Sequence, residues 1–514
     1  MMRPPIKRPL VYLFGATVSA AELGAFSTYD LDLKEADASS SIFLNVSRAL
    51  IFYANSENYE EVIRLFDEYA VNAAQHGNML IPCASEPDVQ KRLNEHILSD
   101  RYAVVVDGKR EYADFIAYRF LFRSIVFAEI AKDCALWDSG PSAKNSLVVP
   151  PPRVGQSPET LSLTEEDAVL LQRAFNDCKS ISTETLSDGK SGATVLKVHL
   201  LFDAAAYGVS TRPMYAKIDS LQRIKQEIKQ YEDCVEGAIP FFMRPNLIGN
   251  RCVKPGQGYK KGLLVGNFVE NSEPIINAIK RGSASFPIYS LFDHAFRTWR
   301  LGSRIEGSIS LISSLENAGC VKPIASIPAR YISQARQYGL VTSPLDIWNR
   351  LRELPKGPHR VGAIHGDLHP GNIHIRGMEP VLIDFYKVQI APLVYDLAML
   401  EIAIVFDAYP IAAYEFEDWK RLVDDLYSCQ AFQHPPEPKD HGHSLENLWT
   451  VVRQLRSIAP TLEISAFDYP IAVAFCLLRI CTHNDKDLLK AAYGLVAVEK
   501  LSSCLENTQL DATP

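Results

Sequence analysis

Residues Val361–Leu400 read VGAIHGDLHPGNIHIRGMEPVLIDFYKVQIAPLVYDLAML, and the reading of the larger part of the chain turns on them. In His365-Gly366-Asp367-Leu368-His369-Pro370-Gly371-Asn372, two glycines and a proline interrupt any helix, so the polar side chains sit on a tight loop. Ile373 and Ile375 alternate with His374 and Arg376 as in a short strand, and Gly377 supplies a turn. Val381-Leu382-Ile383 is a second apolar strand that ends in Asp384. A hairpin of these two strands returns Asp384 to the loop that carries Asp367 and Asn372.

Two carboxylates and a carboxamide converging at strand ends are the set that phosphoryl transfer needs. Mg²⁺ is a hard cation that takes oxygen ligands and keeps several waters, so a carboxylate and an amide oxygen suffice for the protein's share. A further carboxylate must orient the attacking hydroxyl and take its proton. In kinases that base and the metal-binding Asn are spaced D-x-x-x-x-N, the spacing of Asp367 and Asn372. A competing reading makes His365, Asp367 and His369 the ligands of a metal-dependent hydrolase, but it leaves Asn372, Asp384 and the hairpin unused.

HGDLHPGNI followed by LIDF resembles the catalytic signature of aminoglycoside phosphotransferases and choline kinases. The resemblance implies Asp367 as catalytic base, Asn372 and Asp384 as Mg²⁺ ligands, and His365 as support of the loop. Asp396 in Tyr395-Asp396-Leu397-Ala398 matches that family's later structural aspartate, and His369 is expected to be structural.

A nucleotide-binding lobe should then lie upstream. Ser187-Asp188-Gly189-Lys190-Ser191-Gly192-Ala193 precedes the alternating run Thr194–Val198, and small residues such as Gly189, Ser191 and Gly192 let backbone N–H groups approach phosphates. It departs from the full G-x-G-x-x-G pattern. Met214-Tyr215-Ala216-Lys217-Ile218 is similar to the V-A-I-K strand whose Lys contacts the α- and β-phosphates. The following helix offers Glu227 and Glu232 as partners of Lys217, and Glu227, with Tyr231 after it, fits the family better. Gly262–Val269, with Asn267 and Phe268, resembles the strand that leads to an adenine-reading hinge. The start SGATVLKV at Ser191–Val198 and the tail resemble a kinase-like domain called ternary complex associated domain, of multidomain bacterial signalling or conflict proteins. The implied fold is an α+β two-lobed protein-kinase-like domain, with an N-lobe over 163–270 and a helical C-lobe over 271–514.

Residues 1–137 read differently. Apolar runs at Leu10–Phe14, Ala49–Tyr53, Met79–Cys83 and Ala103–Val106 alternate with amphipathic stretches, as in a parallel sheet covered by helices. The layout resembles the flavodoxin-like fold of receiver domains, without their chemistry: no carboxylate follows Phe14 or Tyr53 at the strand ends. Asp107 and Lys109 are expected in a turn. A binding or regulatory module facing a protein partner follows. Residues 138–162, rich in Pro, Ser and Gly, read as an extended linker between the two parts.

The bulk numbers are those of a globular chain, 514 residues long with 47% hydrophobic and 22% charged residues. A formal charge of −8 lacks the basic excess of a nucleic-acid binder. No run approaches the roughly 20 apolar residues of a membrane span. Ten scattered cysteines without a C-x-x-C pair suggest buried reduced thiols and a cytoplasmic protein. The expected activity is ATP- and Mg²⁺-dependent transfer to a hydroxyl of a small molecule or a protein. A nucleotide-binding pseudokinase scaffold is the alternative, suggested by the imperfect glycine turn and the appended module. Aromatic and acidic residues of the helical region (Phe292, Phe296, Trp299, Trp348, Tyr409, Phe416, Glu417, Asp418, Trp419) would suit a cationic acceptor if they lined a pocket. Core packing explains the same residues more simply.

Overall fold

The computed structural model describes residues 10–29, 31–44, 47–75, 78–97, 103–106, 109–112, 127–136, 144, 146–154, 162–188, 192–202, 212–254, 260–320, 322, 324–433 and 443–511. The chain forms two compact units, one of residues 1–226 with 247–268 and one of residues 227–246 with 269–514.

In the first unit, β1 (Leu10–Phe14), β2 (Asp32–Ala36), β3 (Ser47–Ala54) and β4 (Met79–Ala84) form a parallel sheet in the order β2-β1-β3-β4. Alternate residues feed two cores. Val11, Leu13, Ile51 and Ile81 pack with Phe26 of helix α1 (Ala20–Ser27) and with Ile130 and Cys134 of the helix Phe127–Leu136. Tyr12, Phe14, Leu50 and Phe52 pack with α2 (Tyr59–Gln75) and α3 (Pro87–Ile97), whose Val89, Leu93 and Ile97 are buried. Burial on both faces explains the nearly continuous apolar runs.

Two details depart from expectation. Strand β2 (DLKEA) was hidden by its charges, which an edge strand carries on its exposed positions. Ala103–Val106 does not join the parallel sheet; it pairs antiparallel with Lys109–Tyr112, so Lys109 lies in a strand and not a turn. A short loop closes that local pair at far smaller entropic cost than a crossover. Asp107 lies outside the described residues.

The first unit also holds a five-stranded sheet in the order β11-β10-β9-β8-β7, of Lys261–Asn267, Met214–Ser220, Thr194–Leu201, Ser180–Asp188 and Arg153–Val154. Its pairs are antiparallel except β7 with β8. One face packs Leu196, Val198, Ala216, Ile218, Leu263 and Val265 against Leu170, Leu171 and Phe175 of the segment that starts at helix α4 (Glu165–Ala174). The described part of the Pro-rich stretch is extended but docked. Leu147 is fully buried in this core, Thr183 Oγ1 donates to Pro150 O (3.3 Å), and Arg153–Val154 adds an edge strand, the one place in a sheet that prolines beside it tolerate.

The second unit is mostly helical and carries two three-stranded antiparallel sheets. Strands β12 (Ser272–Pro274), β15 (Ile373–Arg376) and β16 (Glu379–Leu382) form one; β13 (Arg304–Glu306), β14 (His359–Ile364) and β17 (Gln389–Pro392) form the other. Helices Val394–Ala403 and Asp468–Ile480 are buried along their whole length. Trp299, Trp348 and Trp419, with Phe292, Phe296, Tyr409 and Phe416, are core residues; Trp419 is fully buried and stacks on Phe416 at 5.6 Å. Within this core, Arg456 pairs with Glu401 at 2.8 Å, and Tyr469 Oη donates to the same carboxylate at 2.6 Å. Among the described residues no helix is long and apolar enough to cross a membrane.

Among the described cysteines eight are free, all but Cys234 buried, which agrees with the expected thiols. Cys504 differs in being disulfide-bonded. Sequence spacing carries no signal for a single cross-link formed by tertiary proximity.

Candidate active site

The segment Val361–Leu400 folds as strand β14, a loop, β15, β16, a second loop, β17 and a buried helix. Gly366 makes the first loop possible. Its φ is +76°, and a Cβ there would lie 2.2 Å from Lys387 O. The close approach lays the Asp367 loop directly on the Asp384–Lys387 turn.

Ile383 staples the two loops through its backbone. Its N–H donates to Asn372 O (3.1 Å), and its carbonyl accepts from His365 Nε2 (3.0 Å). Asp384 therefore leaves the strand beside Asn372. Asn372 Nδ2 donates to Asp367 O (2.9 Å), which fixes the amide and leaves its oxygen as the end suited to a cation. Asp384 has φ +63°, a left-handed conformation that Asp tolerates better than most residues and that aims a side chain off the strand line.

His365 is fully buried, and burial lowers its pKa, so it is a neutral imidazole donating from Nε2. Its ring lies 5.6 Å from that of Phe385, and Phe385 in turn meets Tyr231 at 5.9 Å. Asp396 sits beneath the loop: its carboxylate accepts from His365 N (2.6 Å) and Gly366 N (2.9 Å). Burial pushes its carboxyl up to about 7 against the pull of those two donors. His369 Nδ1 accepts from Gly371 N (3.1 Å) and caps the turn Pro370–Asn372.

Asp367 pairs with Lys387 at 2.9 Å. Burial acts to raise its pKa, but the Lys387 ammonium, with help from Arg479, outweighs burial and holds the carboxyl below the usual range. Lys387 and Arg479 were not singled out in the sequence. Lys387 stands three residues after Asp384, near enough along the chain to share its turn, and that proximity was the one signal for it. Arg479 reaches the site only through tertiary packing.

On the nucleotide side each residue is placed within its own unit. Lys217 lies mid-strand in β10, opposite Val195 and Leu264, and alternation puts it on the face away from Ala216 and Ile218; it is buried. Glu227 is buried, whereas Glu232 is exposed. Gly192 has φ +78° and open space around it; Gly189 and Ser191 lie outside the described residues. Asn267 is exposed at the end of β11, and Phe268 lies under Lys197 Nζ at 5.1 Å.

Residues 340–463 match the family model of ternary complex associated domain 9. The match spans the Asp367 loop, both following strands and Asp396, and it bears out the resemblance to that domain read from the sequence. Solved structures similar to the chain include a thermostable mutant of aminoglycoside phosphotransferase APH(4)-Ia in its apo form, at 10% identity and TM-score 0.34, covering 63% of this chain and 94% of that one. A choline kinase from Cryptosporidium parvum Iowa II matches at 12% identity and TM-score 0.31, over 65% and 90% of the two chains. A putative fructosamine-3-kinase from Thermobifida fusca matches at 14% identity and TM-score 0.30, over 64% and 94%. The first two are of the kinase types that the catalytic signature resembles. No curated protein matches the chain in sequence.

Proposed function

We propose that the chain is an ATP-dependent phosphotransferase of the aminoglycoside phosphotransferase and choline kinase type, built as a two-lobed kinase-like domain behind an N-terminal binding or regulatory module. The observation that carries this is the Ile383 staple, which lays Asp384 beside Asn372 with Asp367 at the other end of the same short loop.

In this reading Asn372 and Asp384 hold Mg²⁺, an oxygen pair that suits a hard cation whose remaining ligands are phosphate oxygens and water. Bound there, the ion would neutralise charge on the β- and γ-phosphates. Asp367 orients the acceptor hydroxyl and takes its proton. Lys387 keeps Asp367 ionised, while His365 and Asp396 fix the backbone on which it stands. Gly189, Ser191, Gly192, Lys217, Glu227, Asn267 and Phe268 are assigned to ATP. Glu227 is preferred over Glu232 as the partner carboxylate because it is the buried one.

A second reading, a nucleotide-binding scaffold, draws on the Asp367–Lys387 pair, since a carboxylate with a lowered pKa is a weak base. Transition states of phosphoryl transfer are loose, however, and ask the base mainly to orient the nucleophile. The test is ADP release and transfer from ATP by wild type and Asp367→Asn. Turnover that falls at least a hundredfold with ATP affinity unchanged supports the phosphotransferase. Equal turnover in both proteins defeats the assignment of Asp367.

A further inference from the structure

Near Asp367 stand two cations, Arg479 and Lys322, that the phosphotransfer reading does not itself use. Arg479, near the end of the buried helix Asp468–Ile480, is only 7% exposed. Its Nε donates to Cys320 O (3.2 Å) and its Nη1 lies 3.3 Å from Met399 Sδ, neither of them an anion. Among the described residues no carboxylate lies within ion-pair distance of it, and Asp367 is the carboxylate whose charge it feels. A buried guanidinium without a counter-ion is costly and calls for one.

Lys322 stands two residues after Cys320 and contacts His483 Nε2 at 3.1 Å; His483 lies four residues beyond Arg479. Burial and the neighbouring cations push His483 down to about 4, so at neutral pH it offers Lys322 a ring nitrogen and no charge. Lys322 also feels Arg479 and Lys387, and its pKa is lowered, first by burial and then by those two. The carboxylates that act on Lys322 are Asp367, itself matched by Lys387, and the exposed Asp485, while Lys486 is occupied by Asp407 at 2.6 Å.

The geometry points to an acceptor alcohol that carries an anionic group, carboxylate or phosphate, held by Arg479 and Lys322 so that its hydroxyl meets Asp367. This rests on the phosphotransferase reading and names its substrate class. It reverses the cationic acceptor that an acidic, aromatic pocket would have taken, since those aromatics are core residues. In the reaction the acceptor oxygen bonds to the γ-phosphorus, the bond from that phosphorus to the β–γ bridging oxygen breaks, the hydroxyl proton passes to Asp367, and ADP leaves.

The test is calorimetric binding to the full chain with Mg²⁺ and a non-hydrolysable ATP analogue, using glycerate, glycerol 3-phosphate, glycerol and choline as probes. Glycerate or glycerol 3-phosphate should bind and glycerol and choline should not, the better of the two anions telling carboxylate from phosphate. Arg479→Gln should weaken the anionic probe roughly ten- to a hundredfold, as loss of a charge-assisted hydrogen bond requires, and Arg479→Lys should recover part of it. Nucleotide affinity should stay within twofold throughout. Lys322→Met, at a half-buried site, gives the same reading should Arg479→Gln not fold. Anions binding no better than glycerol while the analogue binds normally would overturn this inference alone. Failure of the analogue to bind to folded wild type would instead overturn the phosphotransferase reading beneath it. A fall in nucleotide affinity in both variants would place the cations at the nucleotide and also overturn the inference.

Discussion

Replacing Gly366 by alanine tests whether the loop carrying Asp367 depends on its contact with the Asp384–Lys387 turn. The left-handed φ of +76° costs a non-glycine residue about 1–2 kcal/mol. The added Cβ would meet Lys387 O at 2.2 Å and Lys387 C at 3.1 Å, and both are backbone atoms that no rotamer change can move aside. The contact must open by roughly 1 Å to reach ordinary packing distance, an overpacking strain of about 1–3 kcal/mol. Together these predict a loss of about 2–5 kcal/mol in urea unfolding. The same displacement separates Asp367 from Lys387 and Asn372 from Ile383, so turnover in the folded fraction should fall on the order of a hundredfold. A Gly366→Ala protein that unfolds within about 0.5 kcal/mol of wild type and turns over normally would refute the close approach as the organiser of the site.

Lys387→Met should shift the acid limb of the rate profile to higher pH, because it removes the cation that does most to oppose the burial of Asp367. In wild type the folded pKa of Asp367 is depressed, so its stabilisation is present above the unfolded value and lost as pH falls through the folded one. Without Lys387 the depression is smaller, so less stability should be lost on acidification, which pH-dependent unfolding reads directly. Asp396→Asn turns an acceptor of two amide N–H groups into one that presents an N–H to one of them; about 1–3 kcal/mol of stability should be lost in chemical unfolding. Glu401→Gln strips the buried Arg456 of its counter-charge and should cost about 3–5 kcal/mol, whereas Glu401→Leu with Arg456→Met should unfold closer to wild type.

How much of this was legible beforehand follows the range of the interactions. The Asp367 loop, the β15–β16 hairpin and the return of Asp384 are local, and the glycines, the proline and the alternating isoleucines declare them. The parallel strands β1, β3 and β4 were equally plain, because sheets buried on both faces need unbroken apolar runs. Charged β2 was invisible, since what makes it a strand is its neighbour β1 and not its own residues. The pairing of Ala103–Val106 with Lys109–Tyr112 was missed because an apolar tetrapeptide states no partner. Arg479 and Lys322 reach the site only through packing of the helix Asp468–Ile480 near Cys320, and no spacing in the sequence encodes that meeting. The aromatics of the helical unit were read as core residues in the first place, because large apolar rings on helices pack inward, and burial places them there.

The central claim is that Asn372 and Asp384 hold the cation that binds the nucleotide. Glycine accepts the left-handed φ of Asp384, so Asp384→Gly removes the carboxylate with little disturbance of the fold. The decisive measurement is ATP affinity with and without Mg²⁺, in wild type and in Asp384→Gly. Mg²⁺ should tighten ATP binding at least tenfold in wild type and have little effect in the variant. The same Mg²⁺ dependence in both proteins would contradict the account.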